Sequence, residues 1–361
     1  MHSKSNAAPS GQRKDHPVER TTCRSIALLA ALCAGSAAIA QMPPRPASPA
    51  AYPAQTAYPK ENREAVGREL AAARKLAGAD LEADFNWRCL ISPLDRVQVA
   101  GVQHDGLVPA TRVFDNLYSV GQNSVSAWAI DTPQGIIVID ALNSPDEARD
   151  ILVPNMQKLG LDPKRIKYVI LTHGHGDHWG GAKFLQDTYG AHVVASAADW
   201  GMMESPSRGG GPFASLVPPR HDIEAKDGDS VTLGDFSIRT YITPGHTPGT
   251  LSLVFPVFDK GVRHNAGLMG GTGGGSTPDA ARRQIASLTR WQAITKAAGV
   301  DVLVTNHPVH MAATEKEALI RYGASQGNNP FIYGMDKYQR YMGVMSACSR
   351  VQLARMGEAP E

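Results

Sequence analysis

From Val113 onward, short apolar runs alternate with helical spacings, and turn residues punctuate both. Residues 117–120, 124–131 and 135–140 read as strands, divided by Gly121-Gln122-Asn123 and Thr132-Pro133-Gln134. Residues 144–159 have the spacing of a helix, with Ser144 as N-cap and Pro145 at its first position. A β-branched run at 168–171 predicts a buried strand, 182–189 a helix and 192–195 a further strand. Residues 205–220 break the rhythm: this Gly/Pro-rich insertion, with Arg208 followed by three glycines, has the character of a lid or substrate wall. Strands 230–233 and 236–242 are joined by Gly234-Asp235, a hairpin signal, and 251–257 is another apolar strand. Residues 267–275 are mostly glycine. The helix 281–298 carries Ile285, Leu288, Trp291 and Ile294 as its core stripe, 302–305 is a strand, and helices 314–324 and 335–356 close the chain. Strands alternating with helices predict an α/β fold.

Upstream the pattern differs. Residues 41–59 are Pro- and Ala-rich with the texture of a linker. Residues 60–78 then place Val66, Leu70, Ala73 and Leu76 on one helical face, an arm that either packs or stays solvated. Before these, Arg13, Lys14, Arg20 and Arg24 precede an Ala/Leu-rich stretch at 25–38 and a small–x–small site ending at Ala40. A removable export signal over 1–40 and a periplasmic destination are expected. The apolar stretch is shorter than the roughly 20 residues of a spanning helix. The organisation expected is therefore a leader (1–40), a linker and arm (41–112) and a catalytic domain (113–361).

Composition changes this picture in two places. The leader holds five Lys/Arg and two Asp/Glu of the 36 and 34 in the whole chain, so the remainder is close to neutral, at −1. That gives no footing for a nucleic-acid groove or an anionic membrane surface. Cys23 and Cys33 leave with the leader, and in an oxidising compartment the remaining Cys89 and Cys348 are expected to pair.

Candidate chemistry concentrates directly after the strand at 168–171. His173, His175, Asp177 and His178 follow within a few residues, separated by glycines that allow a tight turn. His173 and His175 suit one metal ion; Asp177 and His178, pointing elsewhere, suit a second. Two further histidines, His246 and His307, also follow apolar strands, and strand ends meeting at one edge would bring them to the same place. His104, His192, His221, His264 and His310 lack such placement and read as ordinary structural histidines, with His310 the nearest to an exception.

With Thr172-His-Gly-His-Gly-Asp-His178, Pro244-Gly-His-Thr-Pro-Gly249 and Asn306-His-Pro308 in view, the chain from Val113 onward resembles the metallo-β-lactamase fold superfamily. Within it, the strand 134–140 and the segment 241–250 look most like the B3 subclass of β-lactamases. The resemblance implies an αβ/βα four-layer sandwich with zinc at one edge. Carried over by position, it implies a first zinc on His173, His175 and His246 and a second on Asp177, His178 and His307. Glyoxalase II-type thioesterases and lactonases of the fold place a bridging Asp where this chain has Leu268-Met-Gly-Gly-Thr-Gly273, and its absence agrees with three protein ligands per zinc.

What this implies is a monomeric, exported hydrolase with two zinc ions. It would open a β-lactam amide with zinc-activated water, and Asp177 would serve as both ligand and orienting catalytic residue. The substrate is a small molecule; no nucleic acid is expected as partner, nor a membrane once the leader is removed. Where B3 enzymes carry serines for the substrate carboxylate, this chain offers Thr272 and Ser276 among glycines. Trp179 and the 205–220 loop are expected to add apolar, adaptable surface. An open glycine wall predicts weak or narrow β-lactam turnover, which keeps two other readings in play: hydrolysis of another ester, lactone, thioester or sulfate, and metal binding without catalysis.

Overall fold

Strand β4 (Gly135–Ile139) shows why the chain folds as layers. It is buried along its whole length, and its residues face two different cores in turn. Ile137 and Ile139 join the core between the sheets, while Ile136 and Val138 join the core beneath the outer helices. A strand apolar at every position can be satisfied only by cover on both faces.

The computed structural model describes residues 47–205, 213–275 and 277–360. The expected leader, the start of the linker, residues 206–212 of the insertion and Ser276 lie outside these. Residues 47–52 form a unit of their own, with the short 3-10 turn Pro49–Ala51, and residues 53–360 form another.

In the larger unit the first sheet holds seven strands in sequence order: β1 (Thr111–Arg112), β2 (Leu117–Ser119), β3 (Trp128–Thr132), β4, β5 (Ile166–Ile170), β6 (His192–Ser196) and β7 (Ile223–Ala225). Pairing is antiparallel as far as β4 and parallel from β4 to β7. The second sheet contains β8 (Ser230–Leu233), β9 (Phe236–Ile242), β10 (Leu251–Asp259), β11 (Val262–Leu268) and β12 (Val302–Val304), in the order β12-β11-β10-β9-β8. Helices Pro145–Glu147, Val153–Lys158, Ala182–Tyr189 and Ala197–Glu204 cover the first sheet. Pro278–Ala297 and Met335–Arg355 cover the second. The result is the α/β four-layer sandwich.

Departures from the expected elements have local causes. The expected helix at 144–159 starts as predicted, with the Ser144 hydroxyl accepting from Glu147 N, but its middle, Ala148–Leu152, widens to i→i+5 bonding just before Pro154. A proline without an N–H cannot hold the regular ladder there. The expected strand at 124–131 begins only at Trp128, because Ser126 N turns to Asn306 O and Ser124 O to His307. Strand β11 is polar at Arg263, His264 and Asn265 and so carries no strand pattern. Its Gly267 packs where a Cβ would lie 2.4 Å from the Tyr338 hydroxyl.

The arm is packed. Helix Arg63–Ala77 buries Ala65, Ala73 and Ala77 and lies along Met335–Arg355. Cys89 and Cys348 are disulfide-bonded, with Cα atoms 4.8 Å apart, joining the helical segment Asn86–Ile91 to the C-terminal helix. Among the described residues no helix is long and apolar enough to cross a membrane.

Glu317, on helix Ala313–Arg321, is 3% exposed, and burial pushes its carboxyl up to about 7 despite hydrogen bonds from Ser119 and Thr111 and the charge of Arg321. Because the folded value lies above the unfolded one, the fold binds the extra proton. Its contribution to stability is fully present below the ordinary carboxyl value of 4.5 and is lost as pH rises through about 7. Glu317→Gln should flatten this decline, which is on the order of 3 kcal/mol, in urea unfolding followed from pH 4 to 8.

Candidate metal centre

The loop that follows β5 opens at Thr172 and closes in a short helical turn, Gly176–Trp179, which turns Asp177 and His178 away from His173 and His175. The turn needs glycine at 176: a Cβ there would lie 2.4 Å from the ring of Phe213, which packs over the loop from the middle of the insertion. His246 comes from the β9–β10 turn and His307 from the residues after β12, so strand ends of both sheets supply the side chains.

All six predicted ligands meet there, in two triangles. In the first, His246 Nε2 lies 3.1 Å from both His175 Nδ1 and His173 Nε2. In the second, His178 Nε2 is 3.2 Å from His307 Nε2 and 3.2 Å from Asp177 Oδ2, with His307 Nε2 and Asp177 Oδ2 3.7 Å apart. Tetrahedral zinc with bonds near 2.0–2.1 Å separates its ligands by about 3.3 Å, close to these edges. Ligand atoms of His173, Asp177 and His178 also lie within 4.8 Å of one another, so the triangles adjoin.

The partners of the far ring nitrogens decide what fills the triangles. His246 Nδ1 is 3.1 Å from Gly273 O and His307 Nδ1 2.6 Å from Ser124 O. His178 Nδ1 is 2.8 Å from Asp140 Oδ2. Carbonyls and carboxylates only accept, so in each ring Nδ1 carries a proton and Nε2 is the nitrogen turned inward, with a free lone pair on His246 and His307. In the second triangle His307 turns such a lone pair toward His178 Nε2 and the Asp177 oxygen, and a cation bound there would take the place of the proton that the two carboxylates draw onto His178. The donor set therefore fits metal ions.

Electrostatics agrees. Burial lowers His246 to about 3 and His307 to about 4, keeping both rings in the neutral form that binds metal. His173 and His175 are lowered as well, by burial first. Burial also opposes charge on His178, but Asp177 and Asp140 outweigh it and raise the ring to about 10. Burial would lift Asp177, yet His178 and His307 hold it well below the usual carboxylate range. Both carboxylates thus draw positive charge into the second triangle.

Several contributors carry little or no sequence signal. Asp140 ends an otherwise apolar strand, and that lone acid is its only mark. Asp199, buried on helix Ala197–Glu204, accepts from Gly174 N, Thr247 Oγ1 and Gly249 N and so fixes both ligand loops. From the arm, Gln103 lies beside the His307 ring, its Nε2 3.2 Å from the Nδ1 that faces Ser124 O, and Arg88 Nη1 donates to Thr272 O at 3.3 Å. His310 stands beside the centre, 5.2 Å from the His307 ring by centroids, but belongs to neither triangle. His192, His221 and His264 pair with nearby carboxylates, as structural histidines do.

Two expectations about substrate contacts need correcting. Trp179 presents no surface: it is 1% exposed and donates to Gly174 O, bracing the ligand loop from below. The Thr272 hydroxyl is engaged with His310 Nδ1 at 2.7 Å and is not directed to a ligand. Nor is the glycine wall simply open. A Cβ on Gly271 would lie 2.4 Å from His246 Cβ, and one on Gly270 would lie 1.8 Å from Leu251 O. Only Gly274 is free of neighbours within 4 Å. Much of the glycine run lets backbone pack against a ligand.

Residues 120–257 match the family described as the metallo-β-lactamase superfamily. Among solved structures, a subclass B3 metallo-β-lactamase of Bradyrhizobium japonicum, BJP-1, superposes with a TM-score of 0.56 at 27% identity, over 67% of this chain and 93% of that one. Native FEZ-1 metallo-β-lactamase from Legionella gormanii superposes with a TM-score of 0.62 at 21% identity, over 70% of this chain and 98% of that one; at this identity the likeness is one of fold. An uncharacterized protein of Mycobacterium tuberculosis (strain ATCC 25618 / H37Rv) is 41% identical over 97 residues, 25% of this chain and 42% of its own length. Hydroxyacylglutathione hydrolase of Acidiphilium cryptum is 33% identical over 91 residues, 25% of this chain and 31% of its own. The chain thus spans less than half the length of these curated relatives.

Two substitutions test the geometry. Gly271→Ala should displace His246 and weaken the first triangle's affinity for zinc while leaving the second largely intact, as read by competition with a chromogenic chelator. Asp140→Asn removes the charge behind His178 and should weaken the second triangle by about 10–100-fold.

Proposed function

We propose, from the match of residues 120–257 to the metallo-β-lactamase superfamily, that this chain is an exported hydrolase, with two zinc ions per chain, that opens the amide of β-lactams. The observation that carries the reading is the pair of adjoining triangles. Each has three protein donors, and no acid follows β11 to bridge them. Zinc held there would supply a water ionised near neutral pH and a Lewis acid for the carbonyl.

The chain's own groups supply the rest. Asp140, Gly273 O and Ser124 O each hold an Nδ1–H and so aim the Nε2 of His178, His246 and His307 inward. Asp177, ionised among the histidines, is placed to accept a hydrogen bond from the attacking water and orient it. No Ser or Cys nucleophile is required. Export is supported by the leader pattern and by the Cys89–Cys348 bond, which suits an oxidising compartment.

A second reading, hydrolysis of a thioester, lactone or other ester, is favoured by one observation. The hydroxyl expected to hold a β-lactam carboxylate, that of Thr272, is occupied by His310.

The test is a panel on zinc-loaded protein: a chromogenic cephalosporin, a carbapenem, a lactone, an acylglutathione thioester and an aryl ester. Ring opening of the β-lactams, abolished by chelation and by His175→Ala, is expected. Thioester or lactone turnover with the β-lactams untouched would replace the first reading with the second, and inertness toward all five together with zinc-free protein would remove both.

A further inference from the structure

His310 stands beside the metal centre and has no part in the chemistry described so far. The run His307-Pro-Val-His310 closes in a short 3-10 turn, Pro308–His310, with His310 N bonded to His307 O at 3.1 Å. Such a turn eclipses positions three apart, so the two imidazoles lie on one side, their ring centroids 5.2 Å apart. The Tyr341 hydroxyl donates to His310 O at 2.8 Å and holds the turn from the C-terminal helix. His310 is thereby fixed at the edge of the second triangle without being one of its ligands.

The same ring reaches the support of the first triangle. Its Nδ1 lies 2.7 Å from the hydroxyl of Thr272. Thr272 stands between Gly271, which packs against His246, and Gly273, whose carbonyl faces His246 Nδ1. The hydrogen between Thr272 and His310 can be placed. Thr272 is 8% exposed, and its hydroxyl has no partner among the described residues except His310 Nδ1. A hydroxyl that accepted from Nδ1–H would leave its own hydrogen buried and unpaired, a loss that donating to Nδ1 avoids. The short separation suits an O–H donor. With Nδ1 as acceptor, the hydrogen of the imidazole is on Nε2. That N–H has no partner among the described residues, and it is not sealed in, because the ring is partly exposed.

Resting on the hydrolase reading above, we propose that His310 is a substrate-binding residue whose Nε2–H takes a carboxylate of the substrate, on the second triangle's side of the centre. Thr272, the donor expected from the sequence, then acts one step back: its hydroxyl fixes the tautomer of the histidine that does the holding. A carboxylate is the fitting acceptor, because hydrogen bonds to ionised oxygens are the stronger ones. The class selected is a small acyl compound that carries an acid within reach of this rim.

The experiment takes two measurements on the full chain supplied with zinc. In long-range proton–nitrogen correlation spectra of histidine-labelled protein, His310 is identified by its loss in His310→Gln. It should show a bare Nδ1 and a protonated Nε2, and Thr272→Val should disturb that tautomer. Calorimetric titration then compares mercaptoacetylglycine, which has a terminal acid, with N-methyl-2-mercaptoacetamide, which lacks it; the thiolate of each seeks zinc. Wild type should prefer the acid by roughly tenfold, the size of one hydrogen bond to a charged group. His310→Ala should remove most of that preference without changing affinity for the acid-free thiol. His310→Gln should retain part of it, and Thr272→Val should fall between. Thermal unfolding monitors the fold. If His310→Ala does not fold, His310→Gln and Thr272→Val carry the comparison, and an undiminished preference in both overturns the proposal. A preference that survives His310→Ala overturns it too, as do a wild type that binds both thiols alike and a hydrogen found on Nδ1 with Nε2 bare. Equal weakening of both thiols by His310→Ala would mark a merely structural role and overturn it as well. A His310-dependent preference without turnover of any panel substrate would keep this residue's role and discard the hydrolase reading, whereas turnover with a preference indifferent to His310 would do the reverse.

Discussion

The carboxylate of Asp140 is the point on which the metal edge depends. It sits at the end of β4 with a left-handed backbone (φ 60°) and is 1% exposed. Its oxygens take Thr172 N, Thr172 Oγ1 and His178 Nδ1, each at 2.8 Å. Thr172 passes the connection on: Leu251 N donates to its carbonyl, and Asn306 Nδ2 donates both to its hydroxyl and to Gly270 O. The ends of β4, β5, β10, β11 and β12 are thereby tied at one place, across both sheets. A buried carboxylate is tolerable only when its donors are supplied in full, and supplying them is what draws these strand ends together.

The two sheets could pack by apolar contact alone, and over most of their area they do. At this one edge apolar contact gives way to a polar network whose inner members, the six ligands, are held from outside by groups that are not ligands. Asp140 serves the second triangle, Asp199 serves the loops of both, and Gly273 O and Ser124 O set the rings of His246 and His307. The division has a physical reason. Ligand nitrogens must be rigidly aimed and able to give up any proton to a metal, and a bond at the opposite ring nitrogen fixes which nitrogen faces inward.

The ligand set is legible in the sequence because metal chemistry restricts residue type and spacing severely, and six such residues after apolar strands seldom gather for anything but a metal. The layered fold is legible for a similar reason: β4 has no polar position on either face. What lies beyond reading are contacts made by ordinary residues at long range. Gln103 and Arg88 look like any exposed polar residues of a helical arm, and only the fold brings them to His307 and Thr272. Trp179 defeats sequence reasoning because its place in the chain, next to a ligand, says nothing about which side of the loop it occupies. The glycines mislead in another way. A missing side chain reads as open space, whereas here the space at Gly270 and Gly271 is filled by Leu251 and His246.

The arm joins the surroundings of the site to the C-terminal helix by a covalent bond. Segment 86–102 lies outside both sheets, yet it brings Arg88 to the glycine wall and leads into Gln103 beside His307. Its covalent attachment to the C-terminal helix is the Cys89–Cys348 bond, which closes a loop spanning 259 residues. Cross-links over loops of that size act chiefly on the unfolded chain, by roughly 2–4 kcal/mol. In the native state this one also fixes the residue adjoining Arg88. In a reducing compartment the six ligands would still be held by Asp140, Asp199 and the strand ends, which owe nothing to the disulfide. The arm would then be held by the packing of Arg63–Ala77 and its other non-covalent contacts, and the outer wall would be the part free to shift. The centre and the arm beside it are therefore secured by different physics: the centre by buried polar bonds within the sandwich, the arm by packing and a covalent bond to the C-terminal helix.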